Sequence, residues 1–417
     1  MEKIKKVRVG VFGAGRGMSM VNELFQRTDA CLVAVCDKYV PALDACAKKA
    51  LEAGVTDIEY YTNFEDFIKH DMDAVVLANY ANEHAPYAIR AMEAGKHVMS
   101  ECLTCATMKE AVELIEAVER TGKLYVYAEN YCYTPVRWEM RERYRRGDIG
   151  ELMYAEGEYV HDCSSIWPQI TYGERDHWRN QMYSTFYCTH SIGPILYMTG
   201  LRPVRVVGLE GKNRPFMRNL GAPAPCFGLE MITLENGAIL KSLHGGFKHN
   251  KRHSNYELDG DRGALRDRAH DRELDVYVEG EGENCRGKHD VVVCQHVIPA
   301  GEATGHGGGD FYTTHYFIGA ILGDPVALER IIDVYTAVDM CIPGILAYRS
   351  IVCGGVPVEI PNLRNPEERD AYRNDTFCTT KEIAGEMWVS NNVQETVEIP
   401  DEVYDEVRRR WQAGEPG

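Results

Sequence analysis

The stretch VRVGVFGAGRGM, Val7 to Met18, decides the fold. Its first six residues are β-branched or small and mostly apolar, as in a buried strand. Its last six set Gly13, Gly15 and Gly17 around Ala14 and Arg16, ahead of a run of helical character to about Gln26. Glycines between a strand and a helix let the backbone approach a pyrophosphate, which the helix N-terminus stabilises through its free amides and dipole. The third glycine falls one place early, with Met18 in its nominal position. Asp37 ends the next strand-like run about 20 residues on, where a carboxylate binds the adenosine ribose 2′-hydroxyl and repels a 2′-phosphate. Gly13, Gly15, Arg16, Gly17 and Asp37 are therefore expected to hold NAD in preference to NADP. The alternative is a tight turn with an incidental aspartate.

Outward from this turn, short apolar runs alternate with helical patterns: Cys31 to Cys36, Ala74 to Leu77, His97 to Met99 and Leu124 to Tyr127, with an amphipathic stretch from Ala85 to Ala94 closed by Gly95. Such alternation predicts a parallel, doubly wound sheet, a Rossmann dinucleotide-binding domain over 1–132. The pattern changes at Thr134. A helix from Pro135 to Gly147 precedes long strand candidates at Met153 to His161, Val204 to Leu209, Tyr256 to Asp259 and Asp275 to Val278. Between them, FGLEMITLENGAILKSLHGGF reads as a hairpin whose Asn236-Gly237 pair predicts a type I′ turn. The fold class is thus α/β: the N-terminal Rossmann domain plus a C-terminal α+β domain over 133–360 with a large, mainly antiparallel open sheet. A charged tail over 361–417 is expected to wrap the surface.

At 417 residues the chain can bury two cores, and its formal charge of -17 repels phosphate backbones and anionic membranes. Nucleic acid and membrane are not expected partners; no apolar run of 18 residues is seen, and no export signal precedes the first strand, so the expectation is a cytoplasmic protein. The 14 cysteines are irregularly spaced and read as small buried hydrophobes. One Cys-x-x-Cys pair, Cys102 and Cys105 in ECLTC, lacks two further ligands at zinc spacing, and the helix start lies beyond it, at the capping box Thr107-Met-Lys-Glu110. GHGGGD, 305–310, could be a substrate or a metal-binding loop. Its neighbours His289, His296, His306, His315, Cys285 and Cys294 fit no structural zinc pattern, so no metal is expected. HNKRH, 249–253, reads as a solvated turn.

The order of motifs resembles the Gfo/Idh/MocA oxidoreductases, with ANYANEHAPYAIRAMEAGKHVMSE similar to the segment leading into that family's Glu-Lys-Pro motif. The resemblance implies that Asn79, His84, Glu101 and Asn130 line the NAD site, Glu101 near the nicotinamide ribose. Where the family has Glu-Lys-Pro, whose lysine assists proton transfer, this chain has Glu101-Cys102-Leu103. ENYCY, GELMYAEGEYVHD and FYCTHSIGP resemble blocks of the NAD-dependent α-N-acetylgalactosaminidase branch of glycoside hydrolases, which shares the fold and also lacks the lysine. That branch oxidises the sugar at C3, eliminates the aglycone across C1 and C2, adds water and returns the hydride. The resemblance gives Glu129, Tyr159, Tyr187 and His190 as active-site residues, with Tyr159 as the base for the C2 proton. It makes Arg179 a substrate contact and implies a homodimer or homotetramer.

Independently of any family, moving a hydride off a secondary alcohol needs a base within hydrogen-bond reach of the hydroxyl. Tyr187 and His190 lie three apart at the start of a helical pattern, and a histidine titrates near neutrality. Tyr159 and His161 alternate onto one face of a strand. Taken alone, His190 could equally be a capping or core histidine and Tyr159 a sheet aromatic. Three readings follow: an NAD-dependent oxidoreductase of a sugar or glycoside hydroxyl at C3, a redox-neutral NAD-dependent glycosidase, and a silent NAD-binding sensor. Cys102 enters them as the residue standing where the lysine is missing.

Overall fold

The computed structural model describes residues 6–246, 254–268, 272–280 and 287–417, so HNKRH and Cys285 lie outside the described residues. The chain divides into two compact units. The first is Met1–Thr134 with His296–Val338, the second Pro135–Gln295 with Asp339–Gly417.

The first unit is built on six parallel strands, β1 (Val7–Phe12), β2 (Ala30–Cys36), β3 (Glu59–Tyr61), β4 (Ala74–Leu77), β5 (His97–Ser100) and β6 (Tyr125–Tyr127), in the order β3-β2-β1-β4-β5-β6. The order reverses at β1, which pairs with β2 on one side and β4 on the other, and ligands of doubly wound sheets bind at the carboxyl ends of strands around that point. The sequence reading missed β3, whose three residues are too short and too exposed to show a period. Val9, Val11, Val35, Val76 and Met99 fill the core with Met20, Val21 and Leu24 of the helix Met18–Gln26. Phe317 and Ile318, from the helix Gly309–Ile321, sit in the same core. That burial is why 296–338, assigned from sequence to the second domain, folds with the first unit.

Among the described residues the second unit carries nine strands: β7 (Leu152–Val160), β8 (Pro203–Glu210), β9 (Gly228–Leu234), β10 (Ile239–Gly245), β11 (Ser254–Gly260), β12 (Gly263–Asp267), β13 (Glu273–Val278), β14 (Lys288–Val293) and β15 (Val358–Glu359). Their order is β14-β13-β12-β11-β7-β10-β9-β8-β15, with β7 and β10 parallel and the other pairs antiparallel. The β9–β10 hairpin corrects one expectation. Gly237 N–H donates to Leu234 O at 2.8 Å, and Gly237 alone in the loop has positive φ, at 88°. A type I′ turn needs positive φ at Asn236 as well, so this is a three-residue loop with a glycine bulge. The helix Thr189–Thr199 is buried along its first ten residues, and a Cβ at Gly157 of β7 would meet Ser191 O at 1.8 Å. Glycine at 157 is what lets that helix lie on the sheet. The tail ends in the helix Asp401–Ala413, anchored by Trp411 against Tyr172 and by Arg175 over Tyr404. One helical stretch, Pro325–Val352, is long and apolar enough to cross a membrane, yet 78% of its most apolar window is buried inside the protein.

Candidate active site

In the first unit the glycine turn behaves as a cofactor cradle requires. Gly13 has φ 100°, and a Cβ there would meet the Ala78 carbonyl at 2.4 Å; at Gly17 it would meet Gly13 O at 2.3 Å. Gly17, one place early in the motif, thus keeps the close-packing role. A Cβ at Gly15 would meet no protein atom, so packing gives no reason for glycine there, whereas a pyrophosphate passing over the turn does. Asp37 accepts from the amides of Ala14 at 2.7 Å and Tyr39 at 2.8 Å, which fixes its carboxylate beside the turn.

Beyond the turn lies an ionic cluster. The Arg16 guanidinium donates to Asp310 through both Nη atoms at 3.0 and 2.7 Å and to Ser19 Oγ at 3.0 Å, and forms an ion pair with Glu101 Oε1 at 2.6 Å. Asp310 also accepts from Asn130 Nδ2 at 2.9 Å and from His306 Nδ1 at 2.9 Å. Burial alone would raise the Asp310 pKa, but the hydrogen bonds and charges of His306 and Arg16 outweigh it and hold the carboxyl well below the usual range. The same contact raises His306. The Gly- and His-rich loop therefore delivers Asp310 to the glycine turn, and its histidines do not converge on a common point. His306 faces Asp310, His315 stacks on Phe311 and His296 stacks on Tyr312. Asp310 was not singled out from sequence, because an acid in the first turn of a helix is ordinary.

Two polar atoms at the carboxyl ends of the sheet, Asn79 Oδ1 and Asn130 Oδ1, are buried with no hydrogen-bond partner among the described residues, which fits a ligand that supplies donors there. His84 is buried, with Nδ1 facing Leu103 O at 3.0 Å and Nε2 facing Asn79 O at 3.3 Å, and a neutral ring donates through only one of these nitrogens. Burial pushes it down to about 4, leaving it neutral.

Cys102 and Cys105 are both buried. Cys102 Sγ donates to Glu129 Oε2 at 3.4 Å, and burial, with the charges of Glu129 and Glu101, pushes its thiol well up. It is a donor and no base at neutral pH. Glu129, wholly buried, caps the turn Asn130–Tyr133 through the Tyr131 amide at 3.3 Å.

The second unit brings Tyr159, Tyr187 and His190 together. The His190 ring lies 4.6 Å from Tyr159 and 5.0 Å from Tyr187, centre to centre. Tyr159 OH and His161 Nδ1 are 3.2 Å apart. Arg179 stacks on Trp178 at 4.3 Å and reaches over Tyr187 at 6.0 Å, so it stands at the same cluster. Sequence reasoning missed His244. Register pairs it with Tyr159 across the parallel β7–β10 ladder, its ring 6.1 Å from Tyr159 and 5.9 Å from Tyr187. Its Nδ1 faces Ser184 O at 3.3 Å, which assigns the proton to Nδ1 and leaves Nε2 an acceptor. Burial pushes His244 down to about 4, helped by the charges of His190 and His161. Its place in SLHGGF gave only an alternating strand, and a parallel pairing between strands this far apart leaves no local signal.

Comparison with known proteins agrees with this architecture. Residues 7–129 match the model of the oxidoreductase family with an NAD-binding Rossmann fold. Over 395 residues the chain is 25% identical to a glycosyl hydrolase family 109 protein of Saccharopolyspora erythraea, covering 87% of this chain and 84% of that one. It is 26% identical over 416 residues to one of Porphyromonas gingivalis, covering 89% and 88%. In fold it is similar to levoglucosan dehydrogenase in complex with NADH and L-sorbose (TM-score 0.69, 20% identity, 86% of this chain and 99% of that one). It is also similar to myo-inositol 2-dehydrogenase from Lactobacillus plantarum (TM-score 0.66, 21% identity, 86% and 100%). The glycine turn, Asp37 and the sheet that carries them accordingly form an NAD-binding Rossmann domain that matches the Gfo/Idh/MocA oxidoreductase model over residues 7–129, in a chain that resembles the family 109 glycosyl hydrolases along most of its length.

Proposed function

We propose that this chain is an NAD-dependent enzyme that oxidises a secondary hydroxyl, at C3, of a sugar or glycoside. The observation that carries the reading is the packing of His190 against both Tyr159 and Tyr187, with Arg179 and His244 at the same place. Bound NAD supplies the hydride acceptor. The residues Gly13, Gly15, Gly17 and Asp37 hold it, with Asn79, Glu101 and Asn130 toward its nicotinamide half. His190 takes the hydroxyl proton, and Tyr187 orients that hydroxyl. His244, neutral and with Nε2 as acceptor, stands beside the tyrosine rings without adding charge. Arg179 binds substrate oxygens.

A second reading has its own support in the family 109 relatives and in Cys102, which stands in place of the lysine and cannot act as a base. In it the oxidation acidifies the neighbouring C–H, Tyr159 with His161 removes that proton, the C1 substituent leaves, water adds across the C1–C2 double bond, and the hydride returns to C3. Purified protein incubated with a panel of aryl glycosides separates the two. Stoichiometric NADH with the glycosidic bond intact is the outcome for a dehydrogenase, and aglycone release without net NADH is the outcome for a glycosidase. No turnover of any sugar would leave only a sensor.

The enzyme is proposed to work in the cytoplasm, a reading supported by the irregular spacing of its 14 cysteines. A homodimer or homotetramer is proposed as well, supported by the exposed apolar side chains Tyr277, Val291 and Val293 at the β13–β14 edge.

A further inference from the structure

Asp310 reaches the glycine turn from almost three hundred residues away in sequence, is 1% exposed, and meets Arg16, Asn130 and His306 in one place. An ionised carboxylate can only accept hydrogen bonds, so it dictates which end of a neighbouring amide faces it. Asn130 turns its NH₂ to Asp310 Oδ1 at 2.9 Å, and its own Oδ1 is left buried with no partner among the described residues. Asn130 opens the turn that follows β6, at the carboxyl end of the parallel sheet where a doubly wound fold binds its ligand. The Arg16 guanidinium, held by Asp310 on one side and Glu101 on the other, closes the arrangement.

We propose that Asp310 is a positioning residue for the cofactor: by holding the Asn130 amide in one orientation, it presents Asn130 Oδ1 as a fixed acceptor for a donor on the nicotinamide half of NAD. The inference rests on the reading that NAD binds in this unit. A neutral partner at 310 removes the constraint. In Asp310→Asn the new amide can donate to Asn130 Oδ1, and the Asn130 amide then turns its NH₂ outward, where a donor on the ligand meets another donor.

The test is a set of binding constants, for NADH by its fluorescence and for AMP by calorimetry. Asp310→Asn is expected to raise the NADH Kd at least tenfold while AMP, which reports the adenosine side, stays within twofold. Asn130→Ala, which leaves the Arg16–Asp310 ion pair in place, is expected to show the same selective loss. The double variant is expected to match Asn130→Ala alone, because Asp310 acts through Asn130. Asp310→Glu keeps the charge but displaces it, and gives the selective loss in smaller measure should Asp310→Asn fail to fold by circular dichroism. An unchanged NADH Kd in either Asp310 variant, or additive losses in the double variant, would overturn the proposal. Equal losses of NADH and AMP would reduce Asp310 to a structural residue and overturn it too. Wild-type protein that binds neither ligand would instead sink the NAD reading beneath it.

Discussion

The two units solve opposite problems with their polar side chains, and two buried carboxyls show it. Asp310 in the first unit is met by Arg16, Asn130 and His306 and stays charged. Glu230 in the second, on β9, is wholly buried, and neither oxygen meets a hydrogen-bond partner of ordinary geometry among the described residues, with Ser242 the hydroxyl beside it. Burial pushes Glu230 up to about 8. Beside Glu230 the second unit offers a hydroxyl and, among the described residues, no cation, and His244 is driven neutral by burial in the same way. A site that holds a charged cofactor wants fixed, compensated charges that ignore pH. A site that passes protons wants groups whose charge changes little effort to reverse, set where water is scarce. The prediction is that damage to the second unit falls on turnover, and damage to the first on binding.

The largest effect expected is in His190→Ala. Loss of a general base costs about 10² to 10⁴ in rate, so kcat should fall by that factor while the NADH Kd stays within twofold. Steady-state turnover beside fluorescence titration checks both, and a variant that turns over at the wild-type rate would remove His190 from the mechanism and erase the contrast between the units.

Next come two substitutions in the glycine turn that divide folding from binding. Gly13→Ala forces a Cβ into the Ala78 carbonyl at a φ of 100°, so it should lower the thermal midpoint by several degrees and abolish measurable NADH binding. Gly15→Ala meets no protein atom. Its midpoint should stay within about a degree of wild type while NADH binding weakens about tenfold or more, since the methyl stands where the pyrophosphate passes. Normal NADH binding in Gly15→Ala would mean that the cofactor does not cross the turn.

Much of this contrast was legible beforehand, and unevenly so. The first unit announces itself locally, because a strand, three glycines and an acid in fixed order have few other uses. Tyr187 and His190 were readable as a pair from their three-residue spacing, although Tyr187 lies in the turn just before the helix Thr189–Thr199. What stayed hidden depends on contacts between residues far apart in the chain. His244 meets Tyr159 only through the β7–β10 pairing, Asp310 meets Arg16 only after the helix Gly309–Ile321 returns to the first core, and His84 meets the Leu103 carbonyl 19 residues further along the chain. Asn236-Gly237 misled on turn type because the dipeptide permits both loops and the register of β9 with β10 decides.

A moderate effect is expected in Glu230→Gln, and it is one of stability. A carboxyl whose folded pKa is raised to about 8 from an unfolded value of 4.5 takes up a proton on folding between those values. Folded stability is therefore greatest below the unfolded value, falls as pH rises toward about 8, and is level above it. Glutamine keeps the shape and cannot ionise, so the variant should be more stable than wild type by on the order of 2 kcal/mol at pH 8 and by much less at pH 5. Urea unfolding at the two pH values reads the difference directly. An equal effect at both would mean that the folded-state pKa of Glu230 is not raised above its unfolded value. No comparable gain is expected from Asp310→Asn, whose carboxylate is already satisfied.

The smallest effect belongs to the residue where the chain departs most plainly from the oxidoreductases it resembles. Cys102 stands in the place of a lysine, yet its thiol is buried, pushed well above the ordinary cysteine range, and turned to donate to Glu129 Oε2. A group in that state neither accepts the substrate proton nor stabilises an alkoxide as an ammonium does. Cys102→Ser should keep the donor and leave kcat/KM within about twofold, and Cys102→Ala should lose one weak hydrogen bond to a buried carboxyl, on the order of 1 kcal/mol, a factor of about five. Measured beside His190→Ala, these two variants decide where the proton chemistry resides. A hundredfold loss in Cys102→Ala would return it to the first unit, at the position the lysine left, whereas a loss of a few fold leaves Tyr159, Tyr187 and His190 as the groups that must carry it.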